Sequence, residues 1–109
     1  MNQPWTKSYG PDVPLEIDPA TYPSTVALFE LASARFSKRP AFECFGHTMT
    51  YGELDRASRA LAAWLQKKLG IGRGDRVALM MPNCHAYVVS LLGALRAGMT
   101  AVNVNPLYT

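Results

Sequence analysis

Cysteine is scarce in this sequence: Cys44 and Cys84 are the two examples in 109 residues. That is too few for the disulfide framework of a small secreted domain. The opening Met1-Asn2-Gln3-Pro4-Trp5 has neither the basic start nor the apolar run of a signal peptide. No stretch approaches the about 20 apolar residues that span a bilayer, and the longest, residues 86–95, is broken by Ser90 and Gly93. Eight glycines and eight prolines are too few for a collagenous or low-complexity chain. Charge of one sign is also thin, with 11 Lys and Arg against 8 Asp and Glu for a net +3. Its longest basic runs, Lys38-Arg39 and Lys67-Lys68, do not alternate with aromatics on one face as a nucleic-acid footprint would. What remains is a 49% hydrophobic chain, too apolar for disorder and long enough for one domain at most. A cytoplasmic protein with reduced thiols and no nucleic-acid partner is expected.

Residues 1–24 carry Pro4, Pro11, Pro14, Pro19 and Pro23, a spacing that excludes a helix and favours an extended path. Trp5, Tyr9, Val13, Leu15, Ile17 and Tyr22 lie among them, more apolar bulk than a free tail carries. This stretch reads as an extended docking arm. Ser24 or Thr25 then caps a helix ending near Ser37, with Val26, Phe29, Ser33 and Phe36 on one stripe. Pro40 stops it, and residues 41–45 and 47–50 flank Gly46 as a short hairpin.

Thr50-Tyr51-Gly52-Glu53 has the spacing of a capping box. In the helix that follows, Leu54, Leu61, Leu65 and Leu69 share one face, with Arg56, Arg59, Ala63 and Gln66 opposite. Asp55 and Arg59 stand at the supportive i,i+4 spacing, and Gly70 is the expected C′ residue. Residues 77–81 are apolar without alternation, as in a parallel strand buried on both faces. A helix over about residues 84–97, closed by Gly98, and a strand over 100–104 complete a βαβ unit. Tyr87, Val88, Val89, Leu91, Leu92, Ala94 and Leu95 run all the way round that helix, which therefore needs protein on every side. Too few elements are present to supply it. The fold class expected is α/β, a short hairpin plus a βαβ parallel-sheet unit, with residues 25–109 forming an incomplete segment of a larger domain.

Four groupings carry potential chemistry. Cys44-x-x-His47 and Cys84-His85 supply the ligand types of a structural zinc site, but adjacent residues seldom both reach one tetrahedral metal; core and turn positions explain them better. Cys84 falls at a helix N-terminus, where a thiol pKa can drop, although no base or oxyanion site accompanies it. Gly70-x-Gly72-x-Gly74-Asp75 imitates a phosphate loop but precedes a strand, where such loops follow one and open a helix. Lys67, Lys68, Arg73 and Arg76 offer an anion-attracting cluster, with helix-dipole complementation as the plainer reading. Asn103 and Asn105 lie at a strand C-terminus, where open α/β sheets bind ligands, though turn chemistry before Pro106 explains Asn105 equally. No catalytic, cofactor-binding or metal residue is assigned from these.

Four segments, in order, resemble the adenylate-forming superfamily, and its bacterial long-chain fatty-acyl-CoA synthetases in particular. They are Trp5-x-Lys7-x-Tyr9 with Val13-Pro14-x-Glu16-Ile17; Met49-Thr50-Tyr51-Gly52-Glu53-Leu54; Gly74-Asp75-Arg76-Val77-Ala78 through Met81-Pro82-Asn83; and Leu95-Arg96-Ala97-Gly98 followed by residues 102–109. The resemblance implies the N-terminal segment of a ligase that uses Mg-ATP to adenylate a fatty acid and then transfers the acyl group to CoA. It further implies that the phosphate loop, the acidic metal ligand and the C-terminal-domain lysine all lie beyond Thr109, so that no cofactor binds this chain alone. The expected partner is the remainder of the parent's N-terminal domain. Peripheral contact of the parent with the inner membrane and its oligomeric state are left open. The alternative is a free-standing α/β binding or assembly module without enzymatic activity.

Overall fold

A computed structural model describes residues 3–108. The first two residues of the expected arm, and Thr109 at the end of the last motif, lie outside them. Five elements follow local rules closely. Helix α1 spans Thr25–Phe36, and the Ser24 hydroxyl accepts the Ala27 N–H at 3.0 Å. Strands β1 (Pro40–Cys44) and β2 (His47–Thr50) pair antiparallel, with Cys44 opposite His47. Between them Phe45 and Gly46 both take positive φ, 50° and 77°, the pattern of a two-residue type I′ turn. Helix α2 runs Tyr51–Lys68 from a complete capping box: Thr50 Oγ1 accepts the Glu53 N–H at 3.3 Å, and the Glu53 carboxylate accepts the Thr50 N–H at 2.8 Å. Helix α3 spans His85–Arg96. Gly70 and Gly98 close α2 and α3 at φ 64° and 80°, a left-handed turn that a side chain would oppose.

Strands β3 (Arg76–Leu79) and β4 (Thr100–Asn103) pair in parallel across α3, with Val77 opposite Ala101 and Leu79 opposite Asn103. The α/β expectation of a hairpin followed by a βαβ unit therefore holds. The core lies between α2 and α3, where Ala62 and Leu65 meet Ala94, Ala97 and Met99, flanked by Leu61, Ile71 and Val77. Small residues let these helices approach closely. A Cβ on Gly93 would stand 2.8 Å from Leu61 Cδ2. The buried stripe of α2 is Gly52, Leu54, Ser58, Ala62 and Leu65, which corrects the leucine-only face: Leu69, the C-cap residue, is 49% exposed.

Arg96 ties the three helices together. Its side chain is 6% exposed; Nη1 donates to Glu30 of α1 at 2.8 Å, and Nη2 donates to Asp55 of α2. The guanidinium also lies over the Phe29 ring, 5.3 Å from its centroid. Arg59 bridges the same carboxylates from outside, at 3.0 Å to Asp55 and 3.2 Å to Glu30. Its already high pKa is raised further, first by the Asp55 hydrogen bond and then by that carboxylate's charge. Four charges thus alternate in sign around a closed ring.

Two further expectations change. The proline-rich stretch is not wholly extended, because a five-residue 3-10 helix occupies Pro4–Ser8. Proline at the first helical position loses no hydrogen bond there. The strands, expected to be buried on both faces, are covered on one. Val77, Leu79 and Ala101 turn toward α3, whereas Ala78 is exposed beside Met80 (59%) and Val102 (41%). The arm's Trp5, Leu15 and Ile17 are likewise exposed. The radius of gyration is accordingly 16.9 Å, against about 13 Å for a compact domain of this length.

Candidate functional site at the strand ends

Strands β3 and β4 point their carboxyl ends into a cleft of about 620 Å³, between the turn Met81-Pro82-Asn83 and the segment Asn105-Pro106-Leu107-Tyr108. Parallel α/β sheets place ligands at this end because the loops there are free to vary while the strands hold them fixed. Tyr87, on the first turn of α3, donates its hydroxyl to Asn103 Oδ1 at 3.0 Å. That bond fixes the Asn103 amide at the floor of the cleft. Asn105 does otherwise: its Oδ1 accepts the Leu107 N–H at 2.9 Å, the turn chemistry its place before Pro106 foreshadowed. Sequence reading found both asparagines but took Tyr87 only as part of an apolar helix surface. A tyrosine near a strand end, with an amide within reach, was the available signal.

The other groupings resolve plainly. The glycine cluster is a connecting turn: the Asp75 carboxylate accepts the Gly72 N–H at 2.9 Å, and the Asp75 carbonyl accepts Thr100 N–H at 2.8 Å. Lys67, Lys68, Arg73 and Arg76 are all exposed around the α2 terminus and that turn. Cys84 caps α3 without a side-chain hydrogen bond. His47 is exposed, while Cys44, Cys84 and His85 share a second, smaller cleft. Among the described residues no three His, Cys, Asp or Glu side chains are grouped to hold a metal. Nor is any helix among them long and apolar enough to cross a membrane.

Residues 29–109 match the AMP-binding enzyme family. This chain belongs to that family. Over all 109 residues it is 54% identical to a long-chain-fatty-acid–CoA ligase of Yersinia pestis and 55% identical to one of Salmonella typhimurium, in each case covering 19% of the relative. The chain thus spans about a fifth of the length of these curated relatives. Among solved structures, the N-terminal subdomain of Klebsiella oxytoca NpsA superposes with a TM-score of 0.75 at 29% identity, over 79% of this chain and 22% of that one. The hairpin and parallel pair are therefore part of the architecture of an adenylation-type N-terminal subdomain. The motif order read from the sequence corresponds to this family.

Proposed function

We propose that this chain is the opening part of the N-terminal domain of a long-chain fatty acid–CoA ligase, and that it is catalytically inactive by itself. The observation that carries the reading is identity of 54–55% across every described element to two such ligases. The open face of Ala78, Met80 and Val102 supports it. Apolar strand surface is retained where another layer covers it, and a free-standing binding module would leave that face in water. The partner is the remainder of the same domain, on which the arm of residues 1–24 docks through Trp5, Leu15 and Ile17.

The reaction of the whole enzyme joins a fatty acid to CoA, converting ATP to AMP and pyrophosphate with Mg²⁺. The residues present do not fit a nucleotide. The turn from β3 to α3 contains proline and no glycine, and among the described residues no set of carboxylates is grouped to hold the metal. No step of the reaction is therefore assigned to this chain; its part is to build one wall of the domain. The proposed setting is the cytoplasm, with contact at the inner-membrane surface, where fatty acids partition.

A chimera tests this. The matching fifth of the Yersinia pestis ligase is replaced by this chain, and palmitate-dependent ATP–pyrophosphate exchange is measured. Activity near the parental level is expected from the chimera, and a blank signal from the 109-residue chain. A folded but inactive chimera overturns the ligase reading. Exchange by the isolated chain overturns its inactivity.

A further inference from the structure

Cys44 and Cys84 come from elements remote in sequence, yet they line one cleft of about 230 Å³ together with Phe42, His85 and Val88. The Cys44 thiol donates to the Asn83 carbonyl, with sulfur and oxygen 3.7 Å apart. That carbonyl belongs to the peptide unit leading into Cys84, so the Cys44 sulfur sits within about 6.5 Å of the Cys84 Cα by trans-peptide dimensions. A bond between them requires rotation about both χ1 angles and a movement of the hairpin toward α3 that brings the two Cα atoms within about 7 Å. Both cysteines are half-buried, open enough for a small reagent. His85 Nε2 is buried without a hydrogen-bond partner.

We propose that Cys44 and Cys84 form a redox-reactive thiol pair, which low-molecular-weight organic disulfides convert to a bond between the β1–β2 hairpin and the start of α3. Cys84 is the attacking thiol. It caps α3 with no side-chain hydrogen bond and lines the cleft, whereas the Cys44 thiol is engaged with the Asn83 carbonyl. The Cys84 thiolate attacks one sulfur of the organic disulfide, displacing one small thiolate and leaving a mixed disulfide on Cys84. The Cys44 thiol then attacks the Cys84 sulfur and displaces the second small thiolate. Two protein thiols are oxidised and one organic disulfide is reduced to two thiols, so electrons and protons balance. The bond closes the cleft and holds the hairpin against α3.

The test incubates the purified chain with glutathione disulfide, alkylates what remains and measures intact mass. The expected product is a monomer lacking two hydrogens, with no alkylated cysteine, whose digest joins the Cys44 and Cys84 peptides. Its effective concentration in native buffer should exceed that in concentrated urea by at least about tenfold, since a flexible loop alone reaches only millimolar values. Two alkylatable thiols, arrest at mixed disulfides, intermolecular links, or equal formation in urea would each overturn the pair. C44S should stop at glutathionylated Cys84. C84S should be modified at Cys44 more slowly than C44S is at Cys84; an equal or faster rate overturns Cys84 as the attacking residue.

Discussion

The helical side of this molecule and its strand side are built from the same short chain and end in opposite states. Where α1, α2 and α3 meet, small residues interlock and Arg96 satisfies two carboxylates on two other helices, while Leu28, Leu31 and Trp64 on the outer faces stay exposed. Across β3 and β4 one face closes on α3 while the other leaves Ala78, Met80 and Val102 exposed. The difference lies in reach. Three helices packed on one another can complete part of one another's surfaces within a single chain. A two-stranded parallel sheet has two faces and two edges, and one crossover helix covers one face.

The helical side should break most severely at Arg96. Removing one member of a buried ion pair strands the other, typically at about 3–5 kcal/mol. Glu30 is 43% exposed and Asp55 23%, so Arg96→Met should cost about 3 kcal/mol, the lower end of that range, seen in urea unfolding of the chain. Arg59→Ala removes the exposed arm of the same ring and should cost far less than Arg96→Met. Equal losses would show that the ring does not depend on burial. Gly93→Ala comes next. Its Cβ would meet Leu61 at 2.8–3.1 Å, and overpacking of this kind costs about 1–3 kcal/mol. An unchanged midpoint would mean that α2 and α3 slide apart without penalty.

How far these contrasts were legible in the sequence depends on distance along the chain. The capping box, the helix cap at Ser24 or Thr25, the hairpin turn at Gly46 and the caps at Gly70 and Gly98 were readable because each is decided within a few residues. The buried stripe of α2 was only half readable. Hydrophobic periodicity marks Leu54 and Leu65, but Gly52 is buried where it meets Ser37 at the end of α1, which becomes visible only when α1 is placed against α2, and Ser58 is buried with no apolar signal. Arg96 carried a signal as the one charge in an otherwise apolar helix, yet Glu30 lies 66 positions away. The strand pattern spoke for a complete sheet, so it foretold cover on both faces where this chain brings one. At the strand ends, position picked out Asn103, while its Tyr87 partner and the meeting of Cys44 with Cys84 needed the fold.

A smaller effect tests the local end of that scale. Thr50→Ala removes the acceptor for the Glu53 N–H and should cost about 1 kcal/mol. The Glu53 carboxyl is held below its ordinary value, first by the Thr50 N–H and second by the Thr50 hydroxyl. A carboxyl depressed in the folded state stabilises above its unfolded value and loses that contribution as pH falls through the folded value. The wild-type advantage over Thr50→Ala should therefore persist at neutral pH and shrink on the acid side of the ordinary carboxylate range. Amide exchange at the first turn of α2, followed across that range, reads it directly. An advantage that grew with acidity would reverse the assignment.

The smallest expected change in the chain itself is the one that separates the two sides most sharply. Met80→Lys and Val102→Lys each replace an exposed apolar group on the open face, and in the isolated chain each should shift stability by no more than about 0.5 kcal/mol. The long lysine stem lies along such a surface with its ammonium in water. In the Yersinia pestis chimera the same lysines meet a covering layer, and an unpaired charge under that layer must be desolvated. Soluble yield and palmitate-dependent exchange should then fall together, although neither residue touches a reacting atom. Indifference in both settings would mean that nothing covers this face. Destabilisation of the isolated chain would mean that the face is already closed there, by the arm or by a second copy. Loss confined to the chimera makes the strand side the half of an interface whose other half the helical side already contains within itself.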